Sequence, residues 1–116
     1  MTTIYHNPRC SKSRETLALL TDRGITPEVV LYLDTPPDAA TIEQLLGQLG
    51  LTDPRQLMRT KEDEYAAQGL ADQTLSREAL IAAMVKNPRL IERPIVVEGK
   101  RAALGRPPEQ VLALFK

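Results

Sequence analysis

The stretch from His6 to Arg14 (HNPRCSKSR) contains Cys10, the only cysteine of this 116-residue chain. It lies where a short apolar strand is predicted to give way to a helix. The first turn of a helix has unpaired N–H groups and partial positive charge, and Arg9, Lys12 and Arg14 add cationic side chains. Both effects favour the thiolate, the nucleophilic form of cysteine. We therefore predict a reactive thiol with a lowered pKa.

The alternative is that Cys10 is a small buried residue that serves packing, as lone cysteines usually do. Apart from Pro8, the other residues of the stretch are His, Asn, Arg, Lys or Ser. Such neighbours are unusual around a core thiol, and this composition favours the reactive interpretation.

Two nearby side chains could tune this thiol. His6 could lower the pKa of Cys10 as an imidazolium or shuttle a proton when neutral, or it could be a strand-end histidine bonded to backbone. Ser13, in a Cys-x-x-Ser pattern, could donate its hydroxyl to a thiolate one turn away, or it could only cap the helix. The residues alone leave both pairs of alternatives open.

A single cysteine also limits the redox chemistry. Because the chain has no second thiol, any disulfide that Cys10 forms must include another molecule. One histidine and one cysteine supply too few ligands for a zinc-type centre, so we predict no metal site.

Three arginines could form an anion site. Arg93 and Arg106 flank a predicted hairpin and could reach one end of the sheet, and Arg59 follows a short predicted helix. Arginines that face a thiolate at a helix N-terminus can bind a tetrahedral oxyanion bidentately. Pro94, if its peptide bond is cis, would set a sharp approach to the thiol. Each arginine could instead be solvated, and the sequence does not show that the three converge.

Composition bounds the class of protein. We expect one domain over residues 1–116, with 42% hydrophobic residues for a modest core. Fifteen basic and fifteen acidic residues give no net charge, which argues against nucleic acid or a membrane as a partner. The chain has neither a long apolar run nor the apolar segment of a signal peptide. A lone cysteine suits a reducing compartment, so we predict a cytoplasmic protein.

The apolar pattern predicts an α/β fold. A strand at 2–5, a helix capped by Ser11 or Ser13 and ended by Gly24, and a strand at 27–33 form a βαβ unit. The second strand contains an uninterrupted apolar run and is predicted to be buried on both faces.

The rest of the chain completes that fold. The later predicted elements are a helix at 39–50, a short helix from Asp53-Pro54, a helical or turn-like segment at 59–69, a helix from Ser76 to Asn87, a hairpin at 94–104 around Gly99 and a terminal helix from Pro107. We predict a thioredoxin-like, four-stranded mixed sheet with a helical insertion between strands 2 and 3.

The segment HNPRCSKSRETL (6–17) resembles the signature of the glutaredoxin-dependent arsenate reductase (ArsC) family. Similar segments follow in the same order: LYLDTPP (31–37), LMR (57–59), ERPIVV (92–97) and GRP (105–107). The similarity covers essentially the whole chain and is closest to the short arsenate-reductase-like subgroup. Ser11-Lys12 stands where better-studied members have Gly-Thr, and Lys12 could strengthen anion binding or obstruct it.

The resemblance implies a thioredoxin-like fold with a helical insertion, and it implies that Cys10 attacks arsenate. It also implies the other site residues: anion-binding Arg59, Arg93 and Arg106, thiol-tuning His6 and Ser13, and cis-proline Pro94. The implied reaction goes through a covalent cysteine–arsenic adduct, with glutathione as co-substrate, glutaredoxin as partner and no bound cofactor.

Two other functions fit parts of the sequence. The fold family includes Spx-like regulators that bind RNA polymerase, but those typically sense oxidants through Cys-x-x-Cys, and Ser13 replaces the second cysteine here. The other function is a glutathione-linked thiol protein that acts on a different substrate.

Overall fold

A computed structural model describes residues 1–115. Its contacts divide the chain into two compact units: Met1–Thr35 with the segment from Arg93 onward, and Pro36–Glu92. The single domain expected for the chain stays a prediction, and each unit is described by itself.

The first unit is built on a four-stranded mixed sheet. Its strands are β1 (Thr2–His6), β2 (Glu28–Leu31), β3 (Ile95–Glu98) and β4 (Arg101–Leu104), in the order β2-β1-β3-β4. β1 pairs parallel with β2 and antiparallel with β3, and β3 pairs antiparallel with β4. Helix α1 (Ser11–Asp22) connects β1 to β2. The predicted sheet and βαβ unit are confirmed.

The core of this unit positions α1 against β1, on either side of the segment that carries Cys10. Buried side chains alternate along β1, because every second residue of a strand faces the core. The core cluster joins Ile4 of β1 and Val96 of β3 to Leu20 of α1 and to Val111 and Leu114 of a terminal 3₁₀ helix. The packing of α1 in this cluster holds its first turn beyond the end of β1.

The prediction that the second strand is buried on both faces is wrong. β2 lies at an edge of the sheet, and Val29 and Leu31 remain 43% and 39% exposed. An edge strand has a neighbour on one side only and is less covered than a central strand, so an apolar run alone cannot distinguish the two positions.

The ends of the first unit's elements follow local rules. Gly24, with φ +77°, comes directly after Arg23 at the C-terminus of α1, the left-handed position that favours glycine. Gly99, with φ +61°, supplies the predicted turn between β3 and β4. The terminal helix predicted from Pro107 is a 3₁₀ helix, Pro108–Phe115.

The second unit is helical. Its elements are α2 (Ala39–Leu49), a 3₁₀ helix (Pro54–Leu57), α3 (Asp63–Ala67), α4 (Arg77–Lys86) and a second 3₁₀ helix (Pro88–Leu90). Asp38 caps α2, Asp53 caps the first 3₁₀ helix and Ser76 caps α4. α2 packs against α4, so the predicted helical insertion is confirmed. In residues 1–115 no helix combines the length and apolarity that a membrane span needs.

Candidate active site

Cys10 lies at the junction between β1 and α1 and is partly buried. It is itself the N-cap residue of α1, with extended backbone. Its N–H donates to the Asn7 carbonyl at 3.0 Å, and its own carbonyl accepts from the Arg14 N–H at 3.0 Å. The prediction that Ser11 or Ser13 caps this helix is therefore wrong. The chain places the thiol, rather than a capping hydroxyl, over the first turn.

The thiol environment favours the thiolate. Burial raises the pKa of Cys10, but hydrogen bonds from the backbone N–H groups of Ser13 and Lys12 and the positive charges of Arg93 and Arg106 lower it. The net result is a pKa below the ordinary value. Two arginines and the first turn of α1 therefore outweigh the cost of partial burial.

Two of the three cations near Cys10 in sequence have other partners. The Arg14 Nη1 donates to the Pro8 carbonyl at 2.9 Å, and the Lys12 Nζ lies 3.7 Å from Glu15 Oε2. The positive charge at the thiol comes instead from Arg93 and Arg106. Lys12 contributes to the thiol environment through its backbone N–H.

Arg93 and Arg106 meet at one end of the β3–β4 hairpin. The Arg106 Nη1 donates to the Arg93 carbonyl at 3.2 Å, and the Gly105 N–H donates to the Pro94 carbonyl at 3.0 Å. The Arg93–Pro94 and Arg106–Pro107 peptide bonds are both cis. The structure thus brings Arg93 and Arg106 together, and the positive charges of both lower the pKa of Cys10.

Arg59 belongs to the second unit. Its Nη1 lies 3.1 Å from Glu62 Oε2, and its backbone N–H donates to the Leu90 carbonyl at 2.7 Å. Arg89 Nη2 lies 3.6 Å from the other carboxylate oxygen of Glu62. A part for Arg59 in anion binding stays a prediction.

His6 and Ser13 form a buried pair. His6 Nδ1 lies 2.6 Å from Ser13 Oγ, which also accepts from the Asn7 N–H at 3.0 Å. Burial, and then the charge of Arg14, lower the pKa of His6 below 6.5. His6 is therefore neutral at pH 7, and its ring bonds to a side chain rather than to backbone. The Ser13 N–H donates to the thiol, and the Ser13 hydroxyl forms a hydrogen bond with the His6 ring.

We expect acid to weaken folding through His6. The folded state binds a proton on His6 less readily than the unfolded chain does, because the pKa of His6 is lowered in the fold. The stability that neutral His6 contributes is therefore present above the ordinary pKa of 6.5 and is lost as pH falls through the folded pKa. His6→Asn, which cannot titrate, should remove this component. Urea-unfolding midpoints of both proteins between about pH 5 and 8 measure it. An identical pH dependence in the two proteins contradicts the buried neutral histidine.

Sequence reasoning missed Thr16 and Gly105 at this site. Thr16 is fully buried in α1, and a Cβ on Gly105 would collide with its side chain. The only signal was the glycine directly before Arg106.

Within residues 1–115 no group of three His, Cys, Asp or Glu side chains could hold a metal ion.

The sequence model of the ArsC family matches residues 5–114. The chain belongs to the ArsC family. The matched range contains Cys10 and the two arginines whose charges lower its pKa, Arg93 and Arg106. The predicted family membership is confirmed.

Relatives of this ArsC protein match over nearly its full length. YfgD of Escherichia coli K12 is 65% identical over 111 residues, which are 96% of this chain and 93% of that protein. Arsenate reductase of Neisseria meningitidis serogroup B is 50% identical over 112 residues, 97% of this chain and 96% of the relative. The solved arsenate reductase of Vibrio cholerae has a TM-score of 0.96 at 55% identity, covering 97% and 96% of the two chains. The thioredoxin-like fold is confirmed.

Proposed function

We propose that this ArsC-family protein reduces arsenate to arsenite, with Cys10 as nucleophile and with glutathione and glutaredoxin supplying further thiols. The observation that carries the proposal is that the first-turn N–H groups of α1 and the positive charges of Arg93 and Arg106 lower the pKa of the Cys10 thiol. Relatives named arsenate reductase, at up to 50% identity over nearly the whole chain, support the choice of arsenate.

The site suits a tetrahedral oxyanion. Guanidinium groups bind such anions through pairs of parallel N–H bonds, and a helix N-terminus adds partial positive charge. Arg93 and Arg106 would hold two arsenate oxygens next to the sulfur, and Arg59 is proposed as the third anion-binding arginine. The same positive charges stabilise the thiolate before arsenate arrives.

In the first step the Cys10 thiolate attacks arsenic. A sulfur–arsenic bond forms, an arsenic–oxygen bond breaks, and the departing oxygen takes up protons and leaves as water. Arsenic is still pentavalent in this adduct, so the step involves no net reduction. Arg93 and Arg106 would stabilise the negative charge that builds on the remaining oxygens in the transition state.

Reduction requires two electrons, which come from two thiols that end as one disulfide. The chain has a single cysteine, so the disulfide must include a sulfur from outside. We propose that the glutathione sulfur bonds to arsenic in the adduct and that a second arsenic–oxygen bond breaks, its oxygen leaving as water. A glutaredoxin thiolate then attacks the glutathione sulfur, so that a mixed disulfide forms and the bond between that sulfur and arsenic breaks. The electron pair passes to arsenic, and water releases arsenite and regenerates Cys10. No bound cofactor is needed in this scheme.

The test is arsenite formation by the purified protein with arsenate, glutathione and glutaredoxin. We expect turnover in the complete mixture and loss of turnover when either thiol component is omitted. Absence of arsenite from the complete mixture contradicts the arsenate assignment. Arsenite formation without glutathione contradicts the glutathione step. Turnover without either thiol component contradicts the dependence on external thiols, because one cysteine cannot supply both electrons catalytically.

A further inference from the structure

Gly105 lies where no side chain fits. It is buried, and a Cβ at this position would overlap Thr16 Oγ1 and come within 2.7 Å of Pro94 Cγ and 3.1 Å of Thr16 Cγ2. For the other glycines of residues 1–115, an added Cβ meets no atom within 4 Å. Gly105 is therefore required by a close approach of neighbouring side chains, not by a left-handed backbone.

Thr16 connects Gly105 to the first turn of α1, whose N–H groups donate to the thiol. Thr16 is fully buried, and its Oγ1 donates to the Lys12 carbonyl at 2.7 Å. Lys12 and Ser13, in that first turn of α1, donate their N–H groups to Cys10. The Thr16 side chain thus lies between the thiol-binding turn and Gly105.

Gly105 is in turn connected to both Arg93 and Arg106. The Gly105 N–H donates to the Pro94 carbonyl at 3.0 Å, next to Arg93. Arg106 directly follows Gly105, and its guanidinium donates to the Arg93 carbonyl at 3.2 Å. Displacement of Gly105 would therefore move Arg106 and disturb its bond to the Arg93 segment.

We propose that Thr16 and Gly105 are positioning residues of the thiol site. The contact of Gly105 with Thr16, and with the Pro94 ring beside it, sets the separation between the first turn of α1 and the segment that carries Arg106. Neither residue needs to touch a substrate. Their effect passes through the backbone of Lys12 on one side and through Arg106 on the other. This inference deepens the proposed function, but it concerns the reactivity of Cys10 and can be tested without arsenate.

The test compares Gly105→Ala with Gly47→Ala, a matched control in α2 where an added Cβ meets nothing within 4 Å. The readout is the pH dependence of alkylation by iodoacetamide, which reports one thiol because the chain has one cysteine. For Gly105→Ala we expect the profile to move to higher pH and the rate at neutral pH to fall about 3- to 10-fold, because less of the thiol is ionised. Gly47→Ala should match the unchanged protein.

Second substitutions at Thr16 separate positioning from general damage. Thr16→Ala removes both Thr16 atoms that an added Cβ would meet, whereas Thr16→Ser keeps Oγ1. We therefore expect Gly105→Ala/Thr16→Ala to recover part of the alkylation rate and Gly105→Ala/Thr16→Ser to recover none. Equal recovery in the two double variants would overturn the proposal.

Circular dichroism establishes which variants are folded. A folded Gly105→Ala protein with the alkylation profile of the unchanged protein would overturn the proposal. If Gly105→Ala does not fold, the single variant Thr16→Ala tests the proposal, because it removes the Thr16 atoms that face Gly105 without adding an atom. A shift of its profile to higher pH supports the positioning role, and an unchanged profile overturns it. If the unchanged protein forms no arsenite, the proposed function fails, but this comparison retains its meaning.

Discussion

Cys10→Ser should reduce arsenite formation at least about a thousandfold, to the level of the protein-free reaction. The chain contains no other thiol. A serine hydroxyl at the same position stays protonated at neutral pH, so the first-turn N–H groups and the arginines have no thiolate to stabilise. The measurement is arsenite release in the complete mixture with glutathione and glutaredoxin.

Cys10→Ala is the companion variant, because it removes the nucleophile without adding a hydroxyl. Both variants should keep the circular dichroism spectrum and the urea-unfolding transition of a folded protein, since Cys10 is only partly buried and lies outside the core cluster. Arsenite formation retained in either variant would mean that another group attacks arsenate, and it would contradict the proposed mechanism.

Arg93→Ala and Arg106→Ala should each lower kcat/KM for arsenate about 100-fold, the usual cost of removing a donor that stabilises transition-state charge. The effect should be larger for Arg93, which is partly buried, than for Arg106, which is exposed. Both variants should also move the alkylation profile of Cys10 to higher pH, because both charges lower its pKa. Arg23→Ala, at the opposite end of α1, is the control.

Lysine substitutions separate charge from geometry. Arg93→Lys and Arg106→Lys keep a cation but lose the planar fork that binds two oxygens. We expect them to restore most of the thiol ionisation and little of the arsenate kcat/KM. An Arg106→Ala protein with the kcat/KM of Arg23→Ala would show that this guanidinium does not contact the reacting anion.

The sequence predicted the sheet and the position of the thiol because these depend on short-range patterns. Strand periodicity, the glycine after α1 and the helix starts at Asp53 and Ser76 depend on residues that lie within a few positions of each other. The wrong prediction for β2 has a different cause. Whether an apolar strand is central or at an edge depends on the order of strands, which no local pattern records.

The electrostatics of the thiol could not be predicted locally. Arg9, Lys12 and Arg14 are adjacent in sequence, but the charges that act on Cys10 come from Arg93 and Arg106, far along the chain. The family resemblance supplied those arginines, and the pattern of residues alone left them as candidates.

The geometry of the site's small residues was also beyond local reasoning. Ser13 could be seen as a cap or a donor, but not as a partner of His6 that uses its N–H for the thiol. The close approach of Thr16 to Gly105 depends on where two distant segments meet. No local pattern in the sequence indicates that Thr16 and Gly105 are in contact.

A crystal structure of the protein soaked with arsenate tests the central claim most directly. We predict arsenic bonded to Cys10 Sγ, with its oxygens within hydrogen-bond distance of the Arg93 and Arg106 guanidinium groups and of the Lys12 and Ser13 N–H groups. An anion bound away from Cys10, or bound there without contact to either arginine, would contradict the account.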